Sequence, residues 1–288
     1  MTEPKTHTLD APGAVLYYDV RSNDASAEPV LLLIGSPMGA DGFVTLAGHF
    51  TDRTVVTYDP RGAGRSKRTD GASETAVEEH ADDLHRLIGA LGAGPADILA
   101  SSGGAVNALA LAAKHPEQVR TLVAHEPPAA QELPDREQAL AVCDGIKQTY
   151  LREGFGPAMA KFIALVSHDG PIPDGYADQP GPDPAMFGLP AADDGSRDDA
   201  LLCLNMPSCP AYRHDFAALR AAPCRIVIGV GAESSRMLAG RAGIAVAERL
   251  GTSPVTFPGG HDGFLGGEYG GMGKPDEFAA TLREVLND

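Results

Sequence analysis

Ser102 lies in the stretch Asp97-Ile-Leu-Ala-Ser-Ser-Gly-Gly104, which reads as a short apolar strand running into a very tight turn, with an alanine-rich helix following as far as Pro116. A nucleophile displayed on so sharp a turn needs small neighbours, because the strand and the helix pass close beside it. Ala100, Gly103 and Gly104 meet that need, and small-x-Ser-x-Gly is read as a nucleophile elbow with alanine in place of the first glycine. A serine hydroxyl attacks poorly at neutral pH, so it requires a histidine as base and a carboxylate to orient that histidine. His261 is the histidine best placed for the task. It sits in Pro258-Gly-Gly-His-Asp-Gly-Phe264, a loop that follows the last apolar strand and is built to expose it. By contrast, His7, His80, His85, His115, His168 and His214 stand in polar or helical surroundings, where a solvated role is expected.

These side chains need a scaffold, and the rest of the chain spells one out. Pro29-Val-Leu-Leu-Leu-Ile-Gly-Ser-Pro-Met-Gly39 is a fully apolar strand entering a Gly/Pro turn, the pattern of a central parallel strand. Residues 14–20 and 54–58 give further strands, 76–91 an amphipathic helix, and 120–125 another strand that Glu126-Pro-Pro stops. Strand and helix alternate, which calls for an α/β class with a parallel sheet. From 127 to 215 strand periodicity is absent. Helical stretches over 135–152 and 157–167 give way to a Pro, Gly and Asp-rich segment over 169–199. This region is expected as an inserted cap, with the core formed by 1–126 and 216–288. Sheet periodicity returns at 225–230, followed by a helix over 235–250, a last strand over 254–257 and a closing helix over 278–286.

The elbow, the alternation and the stretch Asp59-Pro-Arg-Gly-Ala-Gly-Arg-Ser66 together resemble the α/β-hydrolase family over nearly the whole chain. The resemblance implies a mostly parallel central sheet flanked by helices, with an inserted helical cap. It also implies the chain order serine, acid, histidine, which His261 fits. In the family an aspartate usually follows the strand that here spans 226–230, in a Gly-x-x-Asp turn. This chain reads Gly231-Ala-Glu-Ser234, so serine holds the usual acid position and Glu233 comes one residue early. Glu126 is the preferred acid, at the end of the strand after the elbow, where some haloalkane dehalogenases of the family carry theirs; Glu233 is the alternative. Neighbouring parallel strands deliver their C-terminal ends to one edge of the sheet, which makes Glu126 reachable. Outside catalysis, Glu126 would start a helix or anchor the cap, and Glu233 would be a charge favoured at a helix N-terminus. The resemblance further implies an oxyanion hole built from the backbone N–H groups of Gly103 and Ser36. Ile34-Gly35 replaces the customary His-Gly there, and Pro37 has no N–H, which leaves Ser36 as the donor at that corner.

Composition narrows the function classes. With 43% hydrophobic residues in 288, the chain can bury one full core. No apolar run reaches the ~18 residues of a membrane span, and Met-Thr-Glu-Pro-Lys lacks a secretion signal, so a soluble, cytoplasmic protein is expected. Cys143, Cys203, Cys209 and Cys224 form no C-x-x-C pair and are expected reduced, with a Cys203–Cys209 link left open. The net charge of −16 argues against nucleic acid and anionic membranes as partners. No cofactor or metal is expected: His80 and His85 are spaced wrongly for a helical metal pair, and Gly229-Val-Gly-Ala-Glu-Ser234 lacks the third glycine of a dinucleotide loop. Ser102 at the elbow argues against the chemistry of haloalkane dehalogenases and epoxide hydrolases, which attack with an aspartate in this fold. The expected activity is hydrolysis of a carboxylic ester or lactone through an acyl-enzyme on Ser102, with His261 as general base. Acidic residues outnumber basic ones between 127 and 215, so a neutral, moderately apolar small molecule is expected over a coenzyme A thioester. Two alternatives stand. One is cofactor-free haloperoxidase or perhydrolase chemistry on the same triad, since Gly35-Ser-Pro-Met38 is similar to the loop those enzymes carry. The other is a ligand-binding protein that kept the pocket and lost turnover. Oligomeric state leaves no legible trace in the chain.

Overall fold

The computed structural model describes residues 3–288 apart from 93, 191 and 207. Among the described residues nine strands form one sheet: β1 (Lys5–Ala11), β2 (Ala14–Arg21), β3 (Leu31–Ile34), β4 (Val55–Tyr58), β5 (Lys67–Arg68), β6 (Ala96–Ser101), β7 (Val119–His125), β8 (Arg225–Gly231) and β9 (Val255–Phe257). They lie in the order β1-β2-β4-β3-β6-β7-β8-β9, with β5 on β2. The strands from β4 to β9 along that path are parallel, while β1, β2 and β5 make antiparallel pairs at one side. The central strands are buried on both faces, which is why they read as unbroken apolar runs.

The pleat sends alternate residues to opposite faces, and helices cover both. Nine helices are present among the described residues: α1 (Val44–Gly48), α2 (Val77–Leu91), α3 (Gly103–Lys114), α4 (Arg136–Glu153), α5 (Phe155–Val166), α6 (Ser208–Ala211), α7 (Phe216–Ala221), α8 (Leu238–Leu250) and α9 (Pro275–Asn287). Leu32 and Ile34 of β3 join the apolar cluster formed with α2, α3 and α8. Leu31 and Leu33 join the other, formed with Phe43 and Leu46 near α1 and with Phe278 and Leu282 of α9. Between β7 and β8 no described residue forms a strand. That segment holds α4 to α7, short 3-10 turns and one π-helical turn, Ala200–Asn205. Positions 191 and 207 of the expected cap lie outside the described residues. Ile146 and Tyr150 of α4 and Leu165 of α5 belong to the same cluster as α3, so this segment is seated on the sheet's helical layer.

The Asp59–Ser66 stretch is a structural joint. Asp59 Oδ1 accepts the Ala40 N–H at 2.8 Å, and Oδ2 accepts the Arg65 N–H at 3.0 Å. Arg61 grips the buried Asp83 of α2 with two N–H donors at 2.9 and 2.6 Å. Ser66 Oγ donates to the Asp59 carbonyl at 2.6 Å and accepts the Tyr17 N–H at 2.9 Å. The stretch thereby fastens the loop after β4 to β2, to α2 and to the loop after β3.

Two expectations, the solvated roles of His80 and His214, need correction, while the cysteines are reduced as expected. His80 is buried, because on α2 it falls between Val77 and Leu84 on the stripe that faces the sheet. His214 is buried edge-on against the rings of Tyr212 and Phe216, with centroids 5.0 and 5.9 Å away. Cys203 and Cys209 are both free thiols, as are Cys143 and Cys224. β1 was not anticipated, since its residues are largely exposed and show no apolar stripe; the backbone ladder with β2 recruits it. No helix among the described residues is long and apolar enough to cross a membrane.

Candidate active site

Strand register sets the site. Ser101 pairs with His125 and His125 with Gly229, so the chain leaves β6, β7 and β8 at one edge of the sheet. Ser102 follows β6 directly with φ 57° and ψ −132°, a left-handed conformation costly for a residue bearing a Cβ. It is held there by its N–H bond to the His125 carbonyl at 3.0 Å and by the immediate start of α3. The small neighbours are required by closeness. A Cβ on Gly104 would stand 2.7 Å from the Ile34 carbonyl oxygen, and one on Gly103 would stand 2.7 Å from that of Ser36.

One strand over, Glu126 also adopts a positive φ, 48°, and donates its N–H to the Gly229 carbonyl at 2.9 Å. Its carboxylate is fully buried. Oε2 lies 2.7 Å from His261 Nδ1, and Oε1 accepts the Gly231 N–H at 2.9 Å together with the Ser234 hydroxyl. Burial alone would push the carboxyl pKa up. The bond and charge of His261, with the Ser234 bond, overcome that and hold it down at about 2. An ionised carboxylate only accepts, so Nδ1 carries the imidazole proton and Nε2 is left as the free acceptor. Glu233 is on the outside, 59% exposed and paired with Lys274. The two candidate acids are thus separated by geometry: Glu126 meets His261 and Glu233 does not.

Ser102, His261, Ser36 and Gly103 border one cavity of about 230 Å³. Phe162 and Leu165 of α5, Leu201 of the π-turn, and Met237 and Leu238 at the start of α8 give it an apolar lining; among the described residues, Glu126, His261 and the Cys209 thiol are its only ionisable neighbours. Burial pushes that thiol up to about 12. The Ser36 N–H has no acceptor among the described residues, and the Gly103 N–H opens α3, where helices leave donors unpaired. Sequence reasoning missed Asn205. Its Nδ2 donates to the Ala200 carbonyl at 2.7 Å, which turns Oδ1 toward Ser36 Oγ as acceptor at 3.0 Å. Nothing in the aperiodic stretch around it marks that residue. His125 lies beneath the site among Phe257, Phe264 and Phe278, and burial holds its pKa down at about 4 although Glu126 is adjacent.

A family model for the alpha/beta hydrolase fold matches residues 28–175. The chain is 32% identical over 265 residues to an uncharacterized hydrolase, YraK, of Bacillus subtilis, covering 89% of each protein. Among solved structures it is similar to MGS-M2, an alpha/beta hydrolase enzyme from a Medee basin deep-sea metagenome library, with a TM-score of 0.71 at 16% identity over 98% of both chains. It is also similar to a thermophilic esterase from Thermogutta terrifontis, with a TM-score of 0.69 at 20% identity over 99% of this chain and 98% of that one. An enol-lactonase from Burkholderia xenovorans gives 0.60 at 16% identity over 98% and 100%. Half the chain under the family model and nearly all of it under a relative of this identity establish the kinship: the chain is a hydrolase of the α/β-hydrolase fold family.

Proposed function

We propose that this hydrolase cleaves carboxylic esters or lactones of small, neutral, moderately apolar acyl compounds through an acyl-enzyme on Ser102. The observation that carries the reading is the buried Glu126 carboxylate on His261 Nδ1, in the same cavity that Ser102 enters from its strained turn. His261 Nε2 takes the Ser102 proton as Oγ bonds to the acyl carbon, and the resulting oxyanion is held by the Gly103 and Ser36 N–H groups. The imidazolium then gives its proton to the leaving oxygen as the carbon–oxygen bond breaks. Water attacks the acyl-enzyme, His261 takes that water's proton and returns it to Ser102, and the carboxylic acid departs. Glu126 remains ionised throughout, as its low pKa supports, and stabilises the imidazolium.

Cavity size and lining support the substrate class. A volume of about 230 Å³ suits a short acyl chain, and among the described residues no lysine or arginine borders it to receive a phosphate or a carboxylate. The segment between β7 and β8 acts as the lid, supplying Phe162, Leu165 and Leu201. The test is labelling with a fluorophosphonate probe, read by peptide mass spectrometry, for the parent and Ser102→Ala, followed by kcat/KM on p-nitrophenyl butyrate and on butyryl-coenzyme A. The expected result is an adduct on Ser102 alone and a higher kcat/KM on the neutral ester. Absence of adduct and of turnover would overturn the reading in favour of a ligand-binding protein, and faster turnover of the thioester would overturn the substrate class.

A further inference from the structure

The family's usual acid position is occupied here by Ser234, and the structure gives that serine a specific contact. Ser234 is buried at 2% exposure, and its hydroxyl donates to Glu126 Oε1, the carboxylate oxygen that does not face His261. The Gly231 N–H donates to the same oxygen at 2.9 Å. The turn that carries Ser234 is itself held: its N–H bonds to the Gly231 carbonyl at 3.3 Å, and its carbonyl accepts the Met237 N–H at 2.9 Å. Position 234 also lies beside the base. A Cβ on Gly260, the residue before His261, would stand 3.8 Å from both Cβ and Oγ of Ser234.

We propose that Ser234 is a positioning residue for the triad acid, and that it is a serine because Glu126 has taken over the carboxylate. The inference rests on the reading of Ser102, His261 and Glu126 as a triad. With two donors fixed on Oε1, the carboxylate cannot swing about its last bond, and Oε2 stays on His261 Nδ1. The same closeness makes positions 126 and 234 alternative seats for one charge. A second carboxylate at 234 would face Glu126 inside a buried site, where two like charges cannot both remain ionised. With Glu126 removed, a carboxylate at 234 would inherit the Gly231 N–H and the neighbourhood of His261.

The test is a mutant cycle read by kcat and KM on p-nitrophenyl butyrate, with the unfolding midpoint of every variant. Ser234→Ala is expected to lower kcat on the order of tenfold at unchanged KM, the scale of one lost bond to a charged group. Ser234→Thr, which keeps the hydroxyl, should recover most of that loss. Ser234→Asp should lower kcat in the parent, yet in Glu126→Ala it should raise kcat at least about tenfold above the single variant, a reversal of sign that a merely structural serine would not produce. Ser234→Ala at the parent rate, or a folded Glu126→Ala/Ser234→Asp protein no faster than Glu126→Ala, would overturn the inference while the triad stands. Parent-like turnover in Glu126→Ala would overturn the triad reading and this one with it.

Discussion

Glu126 carries the largest electrostatic risk at the site, since a carboxylate without exposure is stable only when its oxygens are satisfied. Three donors, from His261, Gly231 and Ser234, satisfy it. An amide in its place keeps the volume but offers Nδ1 a donor on one side, favouring the wrong tautomer of the base. Glu126→Gln should therefore lower kcat by roughly 10³ to 10⁴, the scale set by the corresponding change in a serine triad. Glu233→Gln removes only an exposed pair with Lys274 and should leave kcat near that of the parent. Steady-state rates of the two variants, side by side, check this; equal small losses would leave His261 without an acid partner.

At the scale of elements, the segment between β7 and β8 does more than line the cavity, because it is wired to the loop that carries Ser36. The Asp199 N–H donates to the Tyr150 hydroxyl of α4 at 3.0 Å, and Asp199 Oδ1 accepts the Leu201 and Leu202 N–H groups at 3.0 and 2.8 Å. The π-turn thus anchored ends in Asn205, which receives the Ser36 hydroxyl. A π-turn at a functional site is a recurrent arrangement, since its extra residue re-aims a side chain. Asn205→Ala releases Ser36, whose N–H is the expected oxyanion donor. Losing such a donor outright costs about 10² to 10³, so loosening it should lower kcat on the order of tenfold and slow fluorophosphonate labelling in parallel. Labelling at the parent rate would show the link to be structural alone.

For the whole molecule, burial of histidines sets the response to acid. Burial holds His125 and His214 down at about 4, and burial together with the Arg61 charge holds His80 at about 3. An unfolded chain protonates its histidines near ~6.5. Between that pH and about 4 the unfolded state binds more protons than the folded one, so stability falls as the pH falls through this window. Below the ordinary glutamate value of 4.5 the loss continues, because the folded protein keeps Glu126 ionised to about 2. The urea midpoint should drop steadily from pH 7 to pH 4.5, and His214→Phe, a position that does not line the cavity, should flatten the slope by one group's share. A midpoint constant over that range would contradict this assignment.

What the sequence determines by itself is local. The elbow is legible because strain and close approach act within five residues and demand small side chains there, and the central strands are legible because burial on both faces leaves an unbroken apolar run. The exposed loop of His261 and the turn-rich Asp59–Ser66 joint follow from the same short-range chemistry. Tertiary structure alone decides the rest. Glu126 and Gly231 lie 105 positions apart, Ser36 and Asn205 169 apart, and no local pattern records which of them meet. Polar residues such as His80 and Asp83 go inside because the helix stripe turns them there and a partner or the surrounding bulk accepts them, and β1 forms because β2 offers it a backbone edge. The choice between Glu126 and Glu233 belongs to this second kind: both follow strands that end at the same edge, and only the register of β7 on β8 and the course of the turn after each strand bring one carboxylate, and not the other, onto His261.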